Sequence, residues 1–304
     1  MPSQDRSDML REAIDSVLRL DLLSVEVIVC DDGSSEDLAA VCDCYIESGI
    51  RVIWSSTKES FGAQVARNRG LALAKGEFVL FLDSDDVLAD KGLESLLLAL
   101  DQDSFLAYAY GKVIQTDADL KPIPGRDPVG SPFHGVPPDI AGYHWHTMGA
   151  VYRRAFLERV GRWNESLTGS QDWEYQARVK IAKGRGVFVD SVVGYWRQHA
   201  GVRVGAAKFR PDYVRSVMLA CEAILAKARN AGLCNYDLET RLAKKLVVHA
   251  LEWGANGCLD ERGECFEQAA KCMVDGGSFA TAIRTWSRLP AWADASLLKL
   301  FTKH

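Results

Sequence analysis

Apolar runs and amphipathic stretches alternate through the first hundred residues, and this alternation narrows the fold more than any other feature. "SDMLREAIDSVLRL" carries Leu10, Ile14, Val17 and Leu18 at helical spacing, with Ser7 placed to cap its start. "VEVIVC" reads as a buried strand, "SSEDLAAVCDCYIES" as a helix and "RVIWSS" as a second strand. "GAQVARNRGLALAKG" is a helix with Gly76 at its C-terminal cap, "EFVLFLDSDD" is the most apolar strand, and "GLESLLLALD" is a helix again. Strands and helices in this order predict an α/β fold: a mostly parallel central sheet with helices on its faces.

Beyond Ser104 the rhythm changes. "FLAYAYGKVIQTD" reads as a longer strand, and Lys121–Gly142, rich in Pro and Gly, as a surface loop. "HTMGAVYRRAFLERVG" suggests a strand running into a helix. "SQDWEYQARVKIAKG" suggests a helix capped by Ser170, and "VFVDSVVGYWRQH" a strand. From about Lys208 onward the pattern is helical throughout, with no repeat sharp enough for a solenoid. The expected division is therefore an α/β domain over 1–204 and an all-helical appendage over 205–304.

Charge and cysteine usage exclude several classes. The formal net charge of −5 over 304 residues lacks the concentrated basic surface of a nucleic-acid binder. It remains compatible with a nucleotide, because a metal ion can bridge acidic protein to anionic ligand. The 8 cysteines show no CxxC pair and no zinc spacing, so a reduced, cytoplasmic setting is expected. "MPSQDRSDML" has no apolar signal-peptide core, and no stretch approaches the roughly 20 apolar residues of a spanning helix. The short amphipathic "SLLKLF" near the end is the candidate for peripheral contact with the inner face of a membrane, or with a partner, against the plainer expectation that it packs in the core.

Two apolar strands end in carboxylates: Asp31–Asp32 and Asp83–Ser84–Asp85–Asp86. Ligands of open α/β sheets bind outside the carboxyl ends of the strands, so both clusters belong on that edge. Asp83 and Asp85 face the same way if the backbone stays extended. Hard oxygen ligands so arranged suit Mg²⁺ or Mn²⁺. Each cluster also has a plain reading as a turn entering a helix. Ser34 with Asp37 fits a capping box, and acids favour a helix N-terminus. A nicotinamide-binding Rossmann fold is excluded, because no GxGxxG follows the first strand and "GRGVF" precedes a strand.

"VIVCDDGSSED", "GAQVARNRGLALAKGEFVLFLDSDDVL" and "GAVYRRAFLERVGRWNESLTGSQDWEYQARV" occur in that order. Together they resemble the motifs of family-2 glycosyltransferases of the GT-A fold, over roughly Asp8 to Arg203. The resemblance implies a metal-dependent, inverting transfer of a sugar from a nucleotide-diphosphate sugar to a hydroxyl of a saccharide or lipid-linked acceptor, with UDP-sugars the first candidates. It places Asp32, with Asp31 as second candidate, and Arg67 on the nucleotide. Asp83 and Ser84 fall on the nucleotide-sugar side and Asp85 on the divalent metal, Mn²⁺ or Mg²⁺. Asp86 becomes a supporting residue or a helix cap. The general base falls on Asp172, with Glu174 as fallback; Gln171 stands where the family usually has an acid. "GYWRQHAG" resembles a Y-R-x-H segment, which puts His199 near the metal or diphosphate and Arg197 near the phosphates. His144, Trp145 and His146 are acceptor-side candidates, with Trp145 as a stacking surface for a sugar ring; the triplet equally fits two exposed histidines around a packed tryptophan.

The chain departs from the family at its start. An apolar strand ending in a Pro-x-Tyr-Asn-like segment is expected there, and "MPSQDRSDMLREAIDSV" reads as already inside the first helix. The strand is then missing or reduced to a remnant. "VEVIVC" would expose an edge, and the nucleotide wall would be open. A non-catalytic binding or scaffold protein on the same fold is the competing reading.

Overall fold

The computed structural model describes residues 1–20, 24–47, 51–132, 139–199, 211–273 and 278–301. The expected boundary at 204/205 lies outside the described residues, as do residues 133–138 of the Pro/Gly-rich loop. The chain forms two compact units. The first comprises Met1–His134, Tyr143–Glu165 and Ala182–Gly201, the second Gly135–Gly142, Ser166–Ile181 and Val202–His304.

The first unit opens with a two-residue strand, the remnant end of the alternatives read from the sequence. β1 (Pro2–Ser3) pairs in parallel with β2 (Val27–Asp31), Pro2 opposite Cys30 and Ser3 opposite Asp31. The Met1 and Ser3 carbonyls accept the Cys30 and Asp32 amides. Two residues are too few for any periodicity to register, yet they cover the end of β2 that carries the carboxylates. Of the two expected alternatives, a missing strand or a remnant, the structure has the remnant.

α1 (Ser7–Leu18) buries Leu10, Ile14 and Val17. Ser7 is not its cap. Arg6 precedes the helix in a left-handed conformation, and the Ser7 amide donates to Glu36 Oε2 at 2.8 Å. α2 (Leu38–Glu47) starts on Asp37, whose carboxylate accepts the Ala40 amide, so the Ser34–Asp37 capping box does not form. β3 (Val52–Ser55) completes the parallel sheet β1–β2–β3. α3 (Ala63–Leu73) ends before Gly76; Glu26 Oε1 collects the Lys75 and Gly76 amides instead of a glycine cap.

The second sheet has order β4–β7–β6–β8–β5. Its members are β4 (Phe78–Leu80), β5 (Val87–Leu88), β6 (Leu106–Thr116), β7 (Ala150–Arg153) and β8 (Arg185–Arg197). β6 and β8 run parallel; the other pairings are antiparallel. β7 enters from the long 117–149 segment rather than from a crossover helix, which lets it run against its neighbours. "EFVLFLDSDD" is a strand only over Phe78–Leu80, because the chain then turns, the Asp86 amide bonding to the Asp83 carbonyl. α4 (Gly92–Gln102) and α5 (Arg154–Val160) flank this sheet. Ile14, Val29, Leu96, Val113 and Val151 belong to one buried cluster.

The second unit is helical: α6 (Gln171–Ile181), α7 (Pro211–Asn230), α8 (Tyr236–Ala255), α9 (Leu259–Cys272), α10 (Ser278–Trp286) and α11 (Asp294–Phe301). Its core includes Trp173, Ile224, Leu246, Trp253 and Phe266. From "SLLKLF", Leu297 and Leu298 pack against that core. Cys221, Cys265 and Cys272 are free thiols buried in it, and burial pushes the last two up to about 12, which keeps them unreactive.

Lys180 gives this unit a pH signature. It is buried, and its ammonium donates to the carbonyls of Asp139, Ile140 and Gly142. Burial draws it down from 10.5 to about 7. Between those values the unfolded chain binds the proton and the folded chain does not, so stability rises with pH across the window. Wild type is expected to gain about 2 kcal/mol between pH 7 and 9 from this residue. Urea unfolding of K180M should lack that gain; equal slopes for the two proteins would contradict the assignment.

Candidate active site

The carboxylates meet on one edge of the first unit because β2, the β4–β5 turn and the end of β8 converge there. β5 pairs antiparallel with β8, Val87 opposite Tyr195, which brings the residues after β8 beside the turn before β5. The Arg197 amide donates to Asp86 Oδ1 at 2.9 Å, and His199 Nε2 lies 3.0 Å from Asp85 Oδ2.

Asp31 and Asp32 are both buried, and each has a structural task. Asp31 Oδ1 accepts the Ser34 amide and hydroxyl. Asp32 accepts the Ser60 hydroxyl and the Phe61 and Gly62 amides at 2.7–2.8 Å, which shapes the entry to α3. Gly33 makes this possible. It has φ 77°, and a Cβ there would lie 2.6 Å from the Glu59 carbonyl carbon. G33A is expected to cost about 2 kcal/mol or more in thermal stability. A variant that melts with wild type would show that this close approach is not needed.

Arg67 projects from α3. Its guanidinium lies 2.6 Å from Asp83 Oδ1 and 4.6 Å from the centre of the Trp163 ring. Burial pushes the Asp83 carboxyl up, but the Arg67 charge and hydrogen bond outweigh it, so Asp83 stays below the usual carboxylate range. Ser84 is buried between the two acids. Asp86 moves the opposite way. Burial, then the charges of Asp85 and Asp83, raise it well above its ordinary value, so the cluster need not hold three full negative charges at once.

Asp85 Oδ2 receives two contacts, His199 Nε2 and Arg6 Nη1, the latter at 2.7 Å. Arg6 was not legible as a site residue. It gets there through the turn before α1, whose local sequence signals nothing about a partner 79 positions away. Among the described residues no cluster of three or more His, Cys, Asp or Glu converges as a complete metal cage. Asp85 Oδ2 and His199 Nε2, 3.0 Å apart, are the donor types that suit two positions of a divalent ion, the rest of its shell having to come from outside these side chains.

The remaining candidates separate. His146 is buried, its ring centre 4.9 Å from that of Trp196 and tilted 34° to it. Trp145 cannot serve as a sugar platform. It is fully buried against Tyr108 and Tyr110, and its Nε1 donates to the Tyr152 hydroxyl. Arg197 directs its guanidinium to Glu12 of α1. In the second unit, Asp172 lies in the first turn of α6, half-buried, with Oδ1 accepting the Trp173 amide. Ser170 precedes it at φ 54°, its hydroxyl 3.4 Å from that of Tyr213. Glu174 is not placed to act as a base: it is buried in a bidentate pair with Arg178 at 2.7 and 2.9 Å.

Known proteins carry the same frame. GlyG, a glycosyltransferase of Streptococcus pneumoniae, is 28% identical over 40% of this chain and 36% of its own length, so the chain spans little more than a third of that relative. A GalNAc(5)-diNAcBac-PP-undecaprenol beta-1,3-glucosyltransferase of Campylobacter jejuni is 27% identical over 68% of this chain and 67% of its own. The structure of Staphylococcus aureus TarS with UDP-GlcNAc superposes with a TM-score of 0.72, covering 99% of this chain and 89% of TarS at 19% identity, which establishes the GT-A fold. The sequence pattern described as glycosyl transferase family 2 matches residues 1–161, more than half of the chain, and the chain belongs to that family.

Proposed function

We propose that this chain is a metal-dependent, inverting glycosyltransferase that moves a sugar from a UDP-sugar to a hydroxyl of a saccharide or lipid-linked acceptor. The observation that carries this reading is the pairing of Asp85 with His199 at 3.0 Å, beside the Arg67–Asp83 pair, at the carboxyl edge of a family-2 frame. UDP as the nucleotide is supported by TarS, which binds UDP-GlcNAc and UDP. A lipid-linked acceptor is supported by the Campylobacter relative, whose name specifies a diphospho-undecaprenol glycan. Such an acceptor would bring the protein to the cytoplasmic face of a membrane as a peripheral component. Among the described residues no helix is long and apolar enough to cross one.

In this reading the acceptor oxygen attacks the anomeric carbon as the bond to the diphosphate breaks, and the electron pair leaves with UDP. Asp172 takes the hydroxyl proton, so the nucleophile gains charge as the bond forms. Asp85 and His199 would hold a divalent ion, which would supply Lewis-acid stabilisation of the leaving diphosphate. Arg67 keeps Asp83 ionised and oriented, and Asp31 and Asp32 hold the loops that wall the nucleotide. UDP release over a panel of UDP-sugars, with and without Mn²⁺, tests the proposal. Metal-stimulated release with at least one donor is expected. A folded protein that binds UDP yet turns over none of them would favour the scaffold reading.

A further inference from the structure

Arg6 reaches Asp85 from a strained turn that also opens α1, its carbonyl accepting the Leu10 amide. Asp5 and Arg6 both occupy the left-handed region, at φ 55° and 68°. For residues with a Cβ this costs about 1 kcal/mol or more each, and two in succession require support. The support is dense. Asp5 Oδ1 accepts the Ser35 amide, the Ser35 hydroxyl and the Glu36 amide, while the Asp5 amide donates to Ser34 Oγ at 2.7 Å. Ser34 Oγ in turn donates to Asp31 Oδ1, and Glu36 takes the amide of Ser7. The first acidic motif is therefore wired through Ser34 and Asp5 to the turn that aims Arg6 at the second.

The guanidinium lands on Asp85 Oδ2, the same oxygen that His199 faces. A divalent ion coordinated by that oxygen and a guanidinium 2.7 Å from it would be two cations on one acceptor, and their repulsion sets them in competition. We propose that Arg6 is the resident cation of this site: it neutralises Asp85 before the metal arrives, must release Oδ2 for the ion to bind, and so holds down the metal affinity of the nucleotide-free enzyme. Coupled to the loop that Asp31 and Ser34 organise, this release favours metal entry together with nucleotide rather than before it. The inference rests on Asp85 being a metal ligand.

Mn²⁺ binding to the nucleotide-free chain, followed by the electron paramagnetic resonance of the free ion, separates the two claims. R6G removes the cation and suits the left-handed backbone; R6Q removes the charge and keeps the length. Both are expected to bind Mn²⁺ about tenfold more tightly than wild type, with R6G melting no lower than wild type, and D85A is expected to lose binding. If R6G and R6Q bind Mn²⁺ no more tightly while D85A still loses it, Asp85 is a ligand and the role of Arg6 is refuted. If D85A binds as wild type does, the metal assignment fails and takes this inference with it.

Discussion

Asp172→Asn is expected to lower kcat by about 10²–10⁴-fold, the range of a positioned general base, while the Kd for UDP stays within about twofold of wild type. The substitution keeps shape and hydrogen-bond acceptance: an amide oxygen can still take the Trp173 amide that Asp172 Oδ1 takes now. What it removes is the ability to accept a proton. The neighbouring groups cannot substitute. Gln171 does not ionise, and its Nε2 donates to the Leu167 carbonyl. Glu174 is neutralised on both oxygens by Arg178, so Glu174→Gln should act on stability, by about 3–5 kcal/mol for breaking a buried pair, rather than on the chemical step alone. Steady-state kinetics with a turnover-competent donor and acceptor, beside UDP titrations, read the two effects apart. A D172N enzyme that kept a third or more of wild-type kcat would remove Asp172 from the base position.

The frame of this protein was legible where pattern lengths are long. The strands β2, β6 and β8, the helix α1 and the helical C-terminal stretch all follow from periodicity over ten or more residues or from a sustained apolar run. What was not legible depends on short pieces and distant partners. β1 has two residues, below any periodic signal, and it is recognisable only because Pro2 and Ser3 find Cys30 and Asp31. Helix starts escape local rules for a related reason. Ser7 and the Ser34–Asp37 pair satisfy local capping rules, but Glu36 reaches Ser7 from another element and Ser34 is already engaged with Asp31 and Asp5. Trp145 between two histidines fits a binding surface and a packed core residue equally well in sequence. Its aromatic neighbours Tyr108 and Tyr110, on β6, turn it into core. Arg6 shows the same limit at the site itself: a lone basic residue before a helix becomes significant only once the turn sets it on Asp85.

Asp85→Ala is expected to abolish Mn²⁺ stimulation and to reduce metal-supported turnover by about 10²-fold or more, since a Lewis-acid contribution of several kcal/mol is lost. The other acids of the cluster are not positioned to replace it. Asp83 is committed to Arg67 at 2.6 Å, and exchanging that partner for an ion would leave a buried guanidinium without its counter-charge. Asp86 is buried behind the turn, with Oδ1 holding the Arg197 amide at the start of the segment that leads to His199. Its contribution is to fix where that segment leaves β8, and an asparagine oxygen can accept the same amide. D86N should therefore keep metal stimulation and lie within about threefold of wild type, because a retained hydrogen bond preserves the geometry. The contrast between adjacent carboxylates is the sharp part of the test, as both are acids of one motif one residue apart. Metal-dependence curves for D85A and D86N that fall together would mean that the cluster acts as a diffuse negative patch, with no single residue holding the ion.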